Sequence, residues 1–73
     1  MNLDQYKNNP KTAFLAGMYE KLSKDLIETK TLAESDPSMK DMANSDIENI
    51  TSQMNELEKQ MKAILESDKK EEE

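Results

Sequence analysis

The side chains of this sequence that could do chemistry are hydroxyls and carboxylates. Ser and Thr occur at several positions, but the chain has no His to act as their base and no Cys to act as a nucleophile. The Asp and Glu residues fall mostly on polar helix faces, where they ionise normally and do not pair as acid and base. We therefore expect a protein that is not an enzyme.

Metal sites are no better supported than catalytic ones. Zinc sites need Cys or His ligands, and carboxylate sites in four-helix bundles normally need Glu-x-x-His pairs, so the absence of both residue types excludes them. The stretch from Asp36 to Asp46 lacks the central Gly and the spacing of a calcium loop. We predict no catalytic residue, no metal ligand and no cofactor.

The composition favours a small helical protein. The chain has 73 residues, of which 34% are hydrophobic and 36% charged. This length allows at most one domain with a small core. The sequence contains no Val, four Ile and one Gly, which is unusual for a sheet protein and too little Gly for the turns of a β or α/β fold. We predict an all-α fold.

The charge limits the partners. The net charge is −6, with no Arg. Up to Asp36 there are five Lys and six acidic residues, and beyond it five Lys and ten acidic residues, which gives −1 and −5. Phosphate binding depends on clustered Lys and Arg, so direct DNA binding and membrane-surface binding are not expected. No apolar run approaches the roughly 20 residues of a membrane span, and we expect a cytoplasmic location.

The first long helix is predicted over residues 10–34. Asn9 and Pro10 are typical of a helix start, because Asn accepts hydrogen bonds from free backbone amides and Pro loses none at the first position. Apolar residues then recur at alternating four- and three-residue steps, which predicts a face that packs against another helix. The residues of this face are Leu15, Tyr19, Leu22 and Leu26, and the same steps continue through Thr29 and Ala33.

Other residues of this helix adjoin the predicted face. Phe14, Met18 and Ile27 should widen it to the arc of about 100° that a globular helix buries. Gly17 lies within the helix, where it costs about 1 kcal/mol relative to Ala. We attribute Gly17 to close packing of a neighbouring helix, with a hinge as the alternative.

A corner is predicted at residues 35–36. Asp36 can cap a following helix, while Pro37 suits its first turn and disfavours helical geometry at the preceding residue. One helix therefore ends and another begins within about two residues, which favours an antiparallel hairpin. The alternative is one long helix that is kinked at Pro37.

The second long helix is predicted over residues 37–67. Its apolar residues follow an unbroken alternation of four- and three-residue steps, which is typical of a coiled-coil seam. The seam consists of Ala43, Ile47, Ile50, Met54, Leu57, Met61 and Ile64. We interpret the Met residues as core filling, although Met-rich faces can also form adaptable binding grooves.

The two ends show no such pattern. Residues 1–9 are polar apart from Leu3 and Tyr6, and we predict a flexible arm, with a short helical turn as the alternative. Residues 68–73 are acidic and have nothing to bury, so we predict a disordered tail. A two-helix hairpin buries only one face per helix and has little net stability. We therefore expect the chain to self-associate as a homo-oligomer or to be a fragment of a larger helical domain.

The sequence from Leu32 onward, LAESDPSMKDMANSDIENITSQMNELEKQMKAILESDKKEEE, resembles part of a known family. It is similar to the N-terminal helical domain of bacterial-type class I peptide chain release factors, of the release factor one type. The family has an acidic Asp-Pro turn, then Met, then a Met-Ala pair. Here these residues are Asp36, Pro37, Met39, Met42 and Ala43. A long helix rich in Glu, Gln and Leu and a short acidic linker follow.

The resemblance implies a non-catalytic domain that contacts the ribosome at its stalk base during translation termination. It also implies a surface that is used by the methyltransferase that modifies release factors. The Gly-Gly-Gln loop and the codon-reading tripeptide of the family do not occur in this sequence, so no residue from either can be assigned.

A second hypothesis comes from the seam itself. The seam from Ala43 to Ile64, with acidic outer faces, also suits a free-standing helical hairpin that acts as an oligomerisation or protein-binding module. Such a module would form a discrete oligomer and would bind a partner helix on the Met-rich seam.

Overall fold

The computed structural model describes the backbone of residues 2–72 and the side chains of residues 2–69. It contains three α-helices: α1 (Leu3–Lys7), α2 (Ala13–Ser35) and α3 (Lys40–Glu72). A single turn of 3-10 helix, Pro37–Met39, connects α2 to α3, and the described part contains no strand. α2 and α3 pack along each other as a hairpin in a rod of 55 × 17 × 16 Å. The predicted all-α antiparallel hairpin is confirmed.

The corner between the long helices is held by its own side chains. Asp36 is extended, with φ −133° and ψ 95°, and its amide donates to the carbonyl oxygen of Leu32 at 2.9 Å. Its Oδ1 accepts hydrogen bonds from the amide of Ser38 at 3.1 Å and from the hydroxyl of Ser38 at 2.6 Å. The chain therefore reverses at Asp36 and Pro37, which excludes the kinked continuous helix. The second helix begins as a 3-10 turn and becomes α-helical only at Lys40.

The predicted start of the first long helix at Pro10 is wrong by three residues. Asn9 does act as a cap, because its Oδ1 accepts from the amide of Lys11 at 2.9 Å. Its carbonyl oxygen also accepts from the amides of Thr12 and Ala13, at 3.0 and 2.8 Å. These bonds organise a separate turn, and the α-helix itself begins at Ala13.

The prediction of a flexible arm over residues 1–9 is also wrong, and the alternative of a short helical turn is the one that the structure contains. Residues Leu3–Lys7 form a short helix, and Tyr6 within it is only 6% exposed. An ion pair of 3.0 Å between Lys7 and Glu20 connects α1 to α2. Tyr6 orders this segment because its ring packs into the core, although the surrounding sequence is polar. Met1 lies outside the described residues.

The disordered tail predicted for residues 68–73 differs from the structure as well. The backbone of α3 continues beyond Ser67 to Glu72, and Glu73 lies outside the described residues. Asp68 forms an ion pair with Lys11 in the turn between α1 and α2. The last part of α3 therefore has a partner within the chain, which the sequence pattern did not reveal.

The core is concentrated at the end of the rod where all three helices meet. Tyr6, Ala16 and Met61 form a buried cluster. The partly buried apolar residues packed against this cluster are Leu3, Leu15, Tyr19 and Leu65. Elsewhere along the hairpin, only Ala43 and Leu57 are buried apolar residues in the described part of the chain. The largest buried side chains thus lie at the end of the rod away from the corner, and Ala43 fills the interface near the corner.

Candidate functional site

The structure places the predicted seam residues at differing depths. Ala43, Leu57 and Met61 are buried, with exposures of 1%, 8% and 0%. The remaining seam residues are half-buried: Leu15, Tyr19, Leu22, Leu26, Ile47, Ile50, Met54 and Ile64. Asp36 and Pro37 at the corner are exposed.

The residues expected to widen the face of the first long helix lie outside the core. Phe14 is 79% exposed, Met18 43% and Ile27 65%. The expectation fails because α3 is the only other long helix in the described part of the chain, and it covers α2 from one direction. Leu32 and Met42 are likewise exposed, at 44% and 61%. The rod therefore carries large apolar side chains on its surface.

Four of these side chains lie on one side of the hairpin. Phe14 and Leu32 are about five helical turns apart, so they share one stripe of α2, and Met18 lies beside that stripe. Met42 and Gln53 are about three turns apart on α3, and Gln53 contributes to a groove with Met18. We call the set of Phe14, Met18, Leu32 and Met42 the apolar side.

An open groove runs through the middle of the apolar side. It has a volume of about 200 Å³ and is lined by Met18, Leu22, Gln53, Glu56 and Leu57. An overlapping pocket of about 270 Å³ adds Lys21 and Asp25. An apolar floor with charged and amide groups at the rim suits side chains of another protein segment. It offers little to a small molecule, which binds best in an enclosed cavity.

Gly17 lies in α2 near Phe14 and Met18. A Cβ atom built on Gly17 would meet nothing within 4 Å, and the residue is exposed. The predicted close packing of a neighbouring helix on Gly17 is therefore wrong for contacts within this chain. The backbone at this position has room for a side chain.

The hydroxyl groups near the corner are used locally. Thr29, Thr31 and Ser35 each donate to the backbone carbonyl oxygen four residues earlier, at 2.8, 2.9 and 2.8 Å. A hydroxyl in this arrangement stabilises its own position and is not activated as a nucleophile. Among the described residues, no group of three or more Asp or Glu side chains is placed to hold a metal ion.

The titration of Asp68 departs clearly from normal. A hydrogen bond from Lys11 lowers the pKa of the Asp68 carboxyl, although partial desolvation opposes this shift. The charge of Lys11 and a hydrogen bond with Asn9 lower the pKa further. Since Lys11 and Asn9 belong to the turn between α1 and α2, this carboxylate fastens that turn to α3.

No protein-family model, curated protein or solved structure matches this chain. Within the described part, no helix has the length and apolarity needed to cross a lipid bilayer.

Proposed function

We propose that the chain is a non-catalytic helical domain of a translation termination factor, which acts in the cytoplasm by contacting the ribosome and partner proteins. The observation that carries this proposal is the segment from Asp36 to Ala43, which resembles the corresponding segment of class I release factors. Asp36 and Pro37 build the corner, Ala43 is buried against α2, and Met42 is on the surface. The residues that resemble the family thus form the corner of the hairpin, part of its buried interface and part of its surface.

The charge distribution suits a protein partner better than RNA. The chain beyond Asp36 carries a net charge of −5, from five Lys and ten acidic residues. Nucleic-acid phosphates would repel such a surface, whereas a basic protein surface would attract it. On the ribosome, contact would therefore be made through protein at the stalk base, which is the region that the family resemblance implies.

Co-sedimentation with ribosomes halted at a stop codon tests this proposal. The chain should pellet with these ribosomes, and an excess of intact release factor should displace it. Glu48→Lys, at an exposed position of α3, should weaken pelleting, because it lowers the negative charge of the half of the chain that a basic protein surface would attract. Glu34→Lys on α2 is the matched control. Failure to pellet, or pelleting that intact release factor does not displace, would contradict the assignment.

The apolar side favours a second candidate, a free-standing protein-binding or oligomerisation module. Phe14 is 79% exposed and belongs to a set of large apolar side chains on one side of the hairpin, so its ring is accessible to a partner. A module of this kind would bind a partner without ribosomes, and Phe14→Ser would abolish that binding. The termination assignment instead predicts ribosome binding that depends on Glu48.

A further inference from the structure

The hairpin exposes more surface than a folded chain of its size usually does. Its accessible area is 5447 Å². A compact monomer of 8.4 kDa exposes about 4,600 Å² by the usual scaling of area with mass. The surplus of about 800 Å² equals the area that one partner contributes to a standard protein interface. It arises because the rod is only two helices thick along most of its length.

The apolar side is self-complementary when a second copy is laid along it in the opposite direction. Phe14 and Leu32 lie on one stripe of α2, with Lys21 and Asp25 between them near the same stripe. The midpoint between Phe14 and Leu32 and the midpoint between Lys21 and Asp25 lie at the same height along the axis of α2. A two-fold axis at that level therefore brings Phe14 opposite Leu32 of the second copy and Lys21 opposite Asp25 of the second copy.

The residues at these positions are accessible. Phe14 and Leu32 are 79% and 44% exposed, and Lys21 is also exposed. Lys21 and Asp25 both line the pocket beside Met18. Met42, on the same side near the corner, is 61% exposed and extends the apolar patch around Leu32. An aromatic residue thus stands at one end of the stripe and an aliphatic patch at the other.

We propose that the chain forms an antiparallel, two-fold symmetric dimer in which Phe14 of each copy packs on Leu32 and Met42 of the other. Lys21 and Asp25 form two equivalent ion pairs across the centre of the interface. A parallel arrangement would place Lys21 beside Lys21 and Asp25 beside Asp25, and repulsion of like charges disfavours it. This inference is independent of the termination assignment, because it concerns only the chain with itself.

Directed cross-linking tests the arrangement, and the natural chain contains no Cys that could interfere. A mixture of Phe14→Cys and Leu32→Cys chains should form a mixed disulfide under mild oxidation. Phe14→Cys alone should not, because the two copies of this position would be roughly 27 Å apart. Rapid cross-linking of Phe14→Cys to itself, or none in the mixture, would overturn the antiparallel dimer.

Charge exchange provides an independent readout by sedimentation equilibrium. Lys21→Glu and Asp25→Lys should each raise the dimer dissociation constant by about tenfold or more, because each places like charges opposite one another twice. The double variant Lys21→Glu/Asp25→Lys should restore dimerisation. Circular dichroism of each variant checks that helix content is unchanged. A double variant as weak as the single ones would contradict the proposed pairing.

Ile27 provides the matched control for the apolar contact. It is 65% exposed, but it lies on the opposite flank of α2 from Phe14. Phe14→Glu should raise the dissociation constant by at least about tenfold, whereas Ile27→Glu should leave it unchanged. An unchanged constant for Phe14→Glu, equal effects of the two substitutions, or a natural chain that stays monomeric at high micromolar concentration would overturn the proposal.

Discussion

The hydroxyl of Thr12 donates a hydrogen bond of 2.7 Å to the carbonyl oxygen of Tyr6. Thr12 is fully buried and Tyr6 is 6% exposed. The bond spans the turn between α1 and α2 and fixes the orientation of the short helix. Because a helix of five residues is unstable alone, α1 is held on the hairpin by this bond, by the packing of Tyr6 and Leu3, and by the ion pair between Lys7 and Glu20.

Replacing Thr12 by Val should destabilise the chain by about 1–2 kcal/mol, because a buried carbonyl oxygen loses its hydroxyl partner while the side-chain shape is kept. Urea unfolding followed by circular dichroism measures this change. Thr31→Val is the control, since the Thr31 hydroxyl is exposed and bonds only within its own helix. If both variants lost the same free energy of unfolding, the hydrogen bond to Tyr6 would contribute no more than a bond within a helix.

Met61→Ala should cost about 2–5 kcal/mol, because it empties the centre of the cluster formed with Tyr6 and Ala16. A fold of this size would then be largely unfolded at room temperature. Met42→Ala, at a site that is 61% exposed, should change the stability of the monomer by less than about 0.5 kcal/mol. Thermal unfolding at low protein concentration compares the two, and similar melting temperatures would refute the assigned core.

Gly17→Ala should stabilise the chain by about 0.5–1 kcal/mol. The added Cβ meets nothing within 4 Å, while Ala restricts the unfolded chain and has the better helix propensity. The rise in melting temperature is the measurement. A loss of stability would mean that a neighbour approaches Gly17 closely in the folded protein.

Stability should fall in acid in a way that depends on Asp68. Its pKa is lowered in the folded chain, so its contribution is present above the unfolded pKa of about 4 and is lost as the pH falls through the folded value. Between these two pKa values, the free energy of unfolding should increase less with pH in Asp68→Asn than in the natural chain. Asp46→Asn, at an exposed position of α3, is the control. A curve for Asp68→Asn that parallels the natural one would exclude a role for the pair with Lys11.

Asp36→Ala should cost about 1 kcal/mol, because the amide and hydroxyl of Ser38 lose their acceptor at the corner. Denaturant titration measures this, with Asp41→Ala in the first turn of α3 as the control for removal of an acidic residue. A larger effect at Asp41 would mean that the helix dipole outweighs the cap.

The sequence predicted the parts of the fold that follow from a repeating pattern of apolar residues or from a local turn signal. The four- and three-residue steps from Leu15 to Leu26 and from Ala43 to Ile64 identified faces whose residues lie buried or half-buried, and Asp36 and Pro37 identified the corner. Thr12 and Ala16 were missed, although Thr12 lies one step before Leu15 in the same alternation. Extending the alternation one step back from Leu15 would have predicted that Thr12 is buried.

The remaining features depend on contacts between distant segments. Tyr6 is an isolated aromatic residue in a polar stretch, and nothing near it reveals that Met61 lies opposite. Burial of Phe14 and Ile27 depends on how many helices surround α2, which periodicity does not specify. The three residues that periodicity adds to the buried face of α2, Phe14, Met18 and Ile27, therefore lie on the surface.

The packing of α1 against the last part of α3 places both ends of the described chain at the same pole of a 55 Å rod. A fluorescent label, an affinity tag or a surface anchor attached at either end would consequently emerge from that pole. The corner at Asp36 would point away from the attachment. Immobilised in this way, the hairpin would present its tip and flanks unobstructed to anything in solution.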